Sequence, residues 1–151
     1  AAGGLNAALT AGLSSLATYG AGGALIIHGD LPLVTAGEIT ALVAAHPGGK
    51  AATFVPARDG GTNAMLLSPV DALPLSYGEG SFEKHRAAAL ERNMAVTLLG
   101  LPGLELDIDT PDDLRHLLAR GTHGHTMDYL LATDVATRLQ QAKATSLGTE
   151  Q

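Results

Sequence analysis

Three aspartates offer the plainest chemistry in this sequence. Asp30 ends the apolar run LIIHGD at 25–30, and Asp107 and Asp109 sit two apart in LELDIDTPDDL at 104–114. Both runs read as strands, and side chains two apart on a strand share a face. In open α/β sheets ligands gather at the carboxyl ends of strands. Carboxylates converging there repel one another unless a hard cation sits between them. Mg²⁺ takes oxygen ligands and keeps substrate phosphates in its shell, so the pattern points to phosphate chemistry. An ordinary alternative has equal standing: Asp109 approaches the next helix start and Asp107 faces solvent.

Two glycine-bearing segments could meet an anion. DGGTN at 59–63 sets Gly60 and Gly61 before Thr62, which lets backbone N–H groups turn toward a phosphate. The same residues would equally make a hairpin turn. SYGEGSF at 76–82 brings Gly78 and Gly80 to a helix start capped by Ser81. A helix N-terminus offers free N–H groups to an anion, although plain capping is the commoner use. Lys84, His85 and Arg86 form the one basic run in an acidic chain. They are either a solvated helix face or a steering patch for a phosphorylated substrate. His123 and His125 look like a metal pair without a third ligand, and read as a surface loop. Neither a G-x-S-x-G elbow nor a Walker-type loop is present, so hydrolase-triad and P-loop chemistry have no support.

The elements that must hold these residues follow from periodicity. Leu5, Leu9, Leu13 and Leu16 predict a helix over 4–18, ended by Gly20, Gly22 and Gly23. Strands are predicted at 24–27, 52–56, 64–67, 94–99 and 104–108. Thr35 and Glu38 have capping-box spacing before a helix whose inward stripe is Ile39, Leu42 and Val43. A helix follows Ser81, and Thr110-Pro111-Asp112-Asp113 starts another, with Leu114, Leu117 and Leu118 inward. The last helix is predicted over 126–143. Strands alternating with helices give an α/β fold, a three-layer open sheet with helices on both faces. We find no linker long enough to split the chain, so one domain is expected.

The totals bound the partners. The 151 residues carry a formal charge of −6, 46% hydrophobic side chains, 3% aromatics and no Cys. An aliphatic core is implied, and disulfides, thiolate metal sites and a Cys nucleophile are excluded. Nucleic acid and anionic membrane are poor partners for such a chain. The uncharged stretch 1–29 is too rich in Gly, Ser and Thr to span a membrane, and it lacks the basic start of a signal peptide. A cytoplasmic location is expected.

Taken in order, GLNAAL (4–9), GDLPL (29–33), DGGTN (59–63), YGEGSFEKHR (77–86) and LDIDTPDDL (106–114) resemble the 2-phospho-L-lactate or phosphoenolpyruvate guanylyltransferase family of coenzyme F-420 biosynthesis. The resemblance implies a Rossmann-like, MobA-like nucleotidyltransferase fold. It also implies transfer of GMP from GTP to the phosphate of a small phospho-acid: phosphoenolpyruvate, 2-phospho-L-lactate or 3-phosphoglycerate. Mg²⁺ is the implied cofactor, with Asp30, Asp107 and Asp109 as catalytic metal ligands. Thr62, Gly78 and Ser81 would hold the acceptor, with Gly61, His85 and Arg86 beside them; Gly4, Asn6 and Asp30 would face the nucleotide. A homodimer and hand-over of product to the next enzyme of the pathway are further implications. Family members begin with a strand and a basic nucleotide loop before the GLNAAL helix. The expectation is therefore a single truncated domain (core 4–121, C-terminal helix and tail 122–151) with weak or no activity by itself. The competing readings are another MobA-like transferase of the molybdenum-cofactor type, a glycosyltransferase using Asp107-Ile108-Asp109, and a non-catalytic nucleotide-binding fragment.

Overall fold

The sheet at the centre of the structure is mixed. A computed structural model describes residues 4–121, 124–139 and 141. Their elements run α1 (Gly4–Thr18), β1 (Ala24–Ile27), α2 (Ala36–Ala45), β2 (Ala51–Pro56), β3 (Thr62–Ser68), α3 (Ser81–Glu91), β4 (Ala95–Leu98), α4 (Pro111–Arg120) and α5 (His125–Ala132). The strand order is β1-β3-β2-β4, with β3 antiparallel to both neighbours and β4 parallel to β2. Contacts group the chain into two compact units, Ala1–Leu106 and Asp107–Gln151. Each unit is described by itself.

In the first unit, alternation along the strands feeds two cores. Ala24, Ile26, Ala52, Phe54, Met65 and Leu67 pack with Leu13 of α1 and Ala89 of α3 on one face. Leu25, Ile27, Val55, Ala64 and Leu66 turn to the other, against Leu42 of α2 and Leu104. The apolar positions of β1, β2 and β3 therefore have helices to meet on both faces, the three-layer arrangement that the sequence predicts, while Ala95 and Leu98 of β4 are exposed. Two predicted stripes are narrower than expected. Val43 is half exposed, and in α1 only Leu13 is buried while Leu5 and Leu16 face outward.

The predicted strand 104–108 is absent. Leu104 and Leu106 are buried, the alternation of a strand, but the N–H groups of Leu104 and Glu105 both donate back to the Leu101 carbonyl. The segment buries side chains from a turn, with no ladder to join. Glu38 holds it in place. This residue completes the capping box of α2 with Thr35, and its other carboxylate oxygen accepts from the Gly103 N–H at 2.6 Å. A Cβ on residue 103 would collide with the Glu38 carboxylate and the Leu33 carbonyl.

In the second unit, Thr110 and Asp113 form the capping box of α4, with Pro111 in the first turn and Gly121 closing the helix at φ 60°. The hydrogen bond from Thr110 holds the Asp113 carboxyl below its ordinary range. Leu117, Met127 and Leu130 are buried. The last predicted helix is interrupted: α5 ends at Ala132, where Thr133 turns extended, and residues 135–139 and 141 are helical again. The end of that prediction, 142–143, and His123 of the predicted histidine pair lie outside the described residues. Among the described residues no helix is long and apolar enough to cross a membrane.

Replacing Gly103 by Ala should cost about 2–3 kcal/mol, because rigid backbone and a bonded carboxylate both stand in the way. Gly22→Ala, where nothing lies within 4 Å of the new methyl, should stay within about 0.5 kcal/mol. Urea unfolding of the two variants beside the parent chain measures the contrast.

Candidate active site

A β-bulge builds the polar centre of the first unit. Val55 pairs with Ala64 but Pro56 pairs with Thr62, so Asn63 is an extra residue in β3. Without it, Thr62 would share a face with Ala64 and point at α2. With it, Thr62 lies opposite Pro56, in phase with Phe54 and Met65, and points at α3. There its hydroxyl lies 3.2 Å from Ser81 Oγ and 3.0 Å from His85 Nδ1. All three side chains are buried.

His85 is bonded at both ring nitrogens, since Nε2 accepts the Ser76 backbone N–H at 2.8 Å. Its ring stacks on Phe54 and meets Tyr77 edge-on, with centroids 4.9 Å apart in the second case. Burial, and then the neighbouring Lys84 charge, push the imidazole pKa down to about 4. His85 is therefore neutral at physiological pH, with Thr62 and the Ser76 N–H at its two ring nitrogens. Sequence placed it in a basic steering run, and the structure removes it from that role. Its companions in that run are tied locally: Arg86 bonds Glu83 at 2.9 Å, and Lys84 Nζ donates to the Glu79 carbonyl.

Of the two readings that DGGTN allows, the structure takes the hairpin loop. The Gly61 N–H donates to Asp59 Oδ1 and the Gly60 N–H to the Ala57 carbonyl, so neither is free for a phosphate. Gly60 serves the site from its other end. Its carbonyl accepts from Phe82 N–H, docking the loop onto the first turn of α3. Ser81 is also displaced from its expected place. The N-cap is Gly80 at φ 62°, and Ser81 is the first helical residue, with its N–H on the Gly78 carbonyl. Gly78 itself is exposed, at φ 126°, in surroundings open enough for a ligand.

Asn6, expected at the nucleotide, has a different occupation. Its Nδ2 donates to the Tyr77 carbonyl at 3.0 Å and its Oδ1 accepts the Tyr77 N–H at 2.7 Å. The amide pins the 76–80 loop to α1. Gly4 is the exposed first residue of that helix. Asp30 is exposed in the loop after β1. With Leu5, Leu9, Ile27, His28 and Gly29 it lines a cavity of about 380 Å³.

Asp107 and Asp109 belong to the second unit, in the irregular segment before α4 and not at a strand end as predicted. Their carboxylate oxygens come within 4.8 Å of each other. Hard oxygen donors at that spacing suit a divalent cation.

Three residues that sequence did not single out join the first unit's centre. His28 Nε2, Asn63 Nδ2 and the Tyr77 hydroxyl are buried without a hydrogen-bond partner among the described residues. His28 and Tyr77 are ring neighbours at 5.2 Å, and burial raises the Tyr77 phenol pKa. Their signal was available, as polar residues inside or beside apolar runs.

Comparison with known sequences decides the family. Residues 3–149 match the family described as "Guanylyl transferase CofC like". The chain belongs to that family. It is 42% identical over 125 residues to the phosphoenolpyruvate guanylyltransferase of Sphaerobacter thermophilus, covering 83% of this chain and 60% of the relative. Identity to the 2-phospho-L-lactate guanylyltransferase of Methanosphaerula palustris is 37% over 117 residues, 78% of this chain and 54% of that one. For the 3-phospho-D-glycerate guanylyltransferase of Colwellia psychrerythraea it is 39% over 93 residues, 62% and 44%. The chain thus spans about 60% of the first of these relatives and less of the others.

A His85 pKa near 4, against 6.5 when unfolded, means that the unfolded chain binds the extra proton between those values. Stability is then full above about pH 6.5 and falls as pH drops toward 4, by up to about 3 kcal/mol. His46, whose pKa burial also lowers, acts in the same direction. Unfolding midpoints measured from pH 7.5 to 4.5 should show the fall, and His85→Phe should lose most of the slope.

Proposed function

We propose that this chain transfers the guanylyl group of GTP to the phosphate of a small phospho-acid, with release of pyrophosphate, in coenzyme F-420 biosynthesis. The observation that carries the reading is the bulge-directed pair Thr62 and Ser81 beneath the exposed Gly78 loop, in a chain of this family. Three relatives are named for three acceptors, each a phosphate monoester with a carboxylate, so one anion site would serve them all.

Asp107 and Asp109 are the candidate ligands of a divalent cation, read here as Mg²⁺, which when bound neutralises triphosphate charge. Asp30 carries the same assignment in the first unit, and Gly4 a place at the nucleotide. The protein's own contribution is positioning. Gly78 lets the backbone approach the acceptor, and Ser81, backed by Thr62, orients it. The acceptor phosphate then attacks the α-phosphorus of GTP in line. No side chain has to act as a covalent nucleophile.

Pyrophosphate release with GTP, Mg²⁺ and each of the three acceptors tests the reading, phosphoenolpyruvate first. Turnover with at least one acceptor is expected, with Asp109→Asn lowering it about 100-fold or more and Thr62→Ala about tenfold. Pyrophosphate release that needs none of the acceptors would contradict it.

A further inference from the structure

A backbone amide N–H can only donate a hydrogen bond, and at Ser76 this fixes the tautomer of His85. Because the Ser76 N–H points at His85 Nε2 from 2.8 Å, that nitrogen carries no proton. The neutral ring must hold its hydrogen on Nδ1, which lies 3.0 Å from Thr62 Oγ1 and donates to it. Thr62 Oγ1 keeps its own hydrogen and a second lone pair, and it lies 3.2 Å from Ser81 Oγ, where either hydroxyl can donate. When Thr62 donates, the Ser81 hydrogen has no other bond within the described residues.

We propose that His85 is a positioning residue that sets this relay in the direction Ser76 to His85 to Thr62 to Ser81, so that the Ser81 hydroxyl ends it as a donor to an anionic oxygen of the acceptor. The proposal rests on the acceptor site proposed above. Three features agree with it. The relay is buried, with His85 at 0% and Thr62 and Ser81 at 1% exposure, so water does not scramble its direction. Its last member stands in the first turn of α3, next to the exposed loop 78–80. The two aromatic contacts of His85, Phe54 and Tyr77, hold the ring plane that both nitrogen bonds require. A neutral donor also suits a site whose charge is to be handled by carboxylates and a cation, since it discriminates an anion by direction without adding fixed charge.

Two measurements test the relay. Long-range ¹⁵N NMR of the full chain should find His85 as the Nδ1–H tautomer at pH 7; the Nε2–H tautomer would overturn the proposal. Phosphoenolpyruvate titrated by calorimetry in the presence of Mg²⁺ gives the second. His85→Phe keeps the ring stacking and removes both bonds, and should weaken binding about tenfold, the loss of roughly one oriented hydrogen bond. His85→Asn, whose amide can still donate to Thr62, should recover part of the loss, and it also serves if the Phe variant folds poorly. In a Ser81→Ala background the His85→Phe change should cost nothing further. An equal, additive loss in that background would show a merely structural histidine and overturn the proposal. Failure of the parent chain to bind any of the three phospho-acids would instead remove the acceptor site itself, a different result from additivity in a chain that binds.

Discussion

One inserted residue sets the geometry on which everything else at the centre depends. Side chains on a strand alternate without exception unless the count is broken, and Asn63 breaks it between Pro56 and Val55 on the facing strand. The apolar part of β3 thereby keeps its two-faced register, Met65 toward α3 and Ala64 toward α2. Its first residue, Thr62, is released from that register and turned to the α3 side. A regular strand would have delivered a hydroxyl into the aliphatic cluster around Leu42. The bulge converts a packing error into a polar junction of strand, helix and loop.

That junction is satisfied in an unusual order. Elsewhere in the first unit polar groups meet backbone, as when Glu38 takes the Gly103 N–H or Gly60 takes the Phe82 N–H. Around Thr62 the bonds run between side chains, and close by are three buried polar atoms with no partner: His28 Nε2, Asn63 Nδ2 and the Tyr77 hydroxyl. An unmet buried donor costs about 1–3 kcal/mol. A fold that tolerates several within one neighbourhood, and few elsewhere, has concentrated its imperfection where a ligand's oxygens could relieve it.

Much of the fold could be read from sequence because the relevant signals are local. The capping boxes at Thr35 and Thr110, the α1 boundaries and the β1 strand each depend on residues within a few positions of one another. What sequence misread depends either on how the backbone bonds or on partners far away. The segment 104–108 has a strand's burial pattern, yet its N–H groups return to Leu101, and no periodicity distinguishes those cases. Ser81 has a cap's identity, yet Gly80 takes the cap because Thr62, nineteen positions earlier, holds the serine hydroxyl. The members of the polar centre were visible as Thr62, Gly78, Ser81 and His85. Their arrangement was not, because a bulge leaves no mark in residue types.

The bond pair between Asn6 and Tyr77 deserves a different description from that of a contact. The Asn6 amide presents to one peptide the same donor and acceptor that a neighbouring strand would present, across 71 positions of sequence. It is a one-residue imitation of a sheet edge, placed where the chain has no strand to spare. Such an imitation is all-or-none in chemistry: an aspartate lacks the donor, a serine lacks the reach, and an alanine leaves a peptide unpaired on both sides. The loop that carries Gly78 is thus written into register by a helix, as one line of text is held level by the one above it.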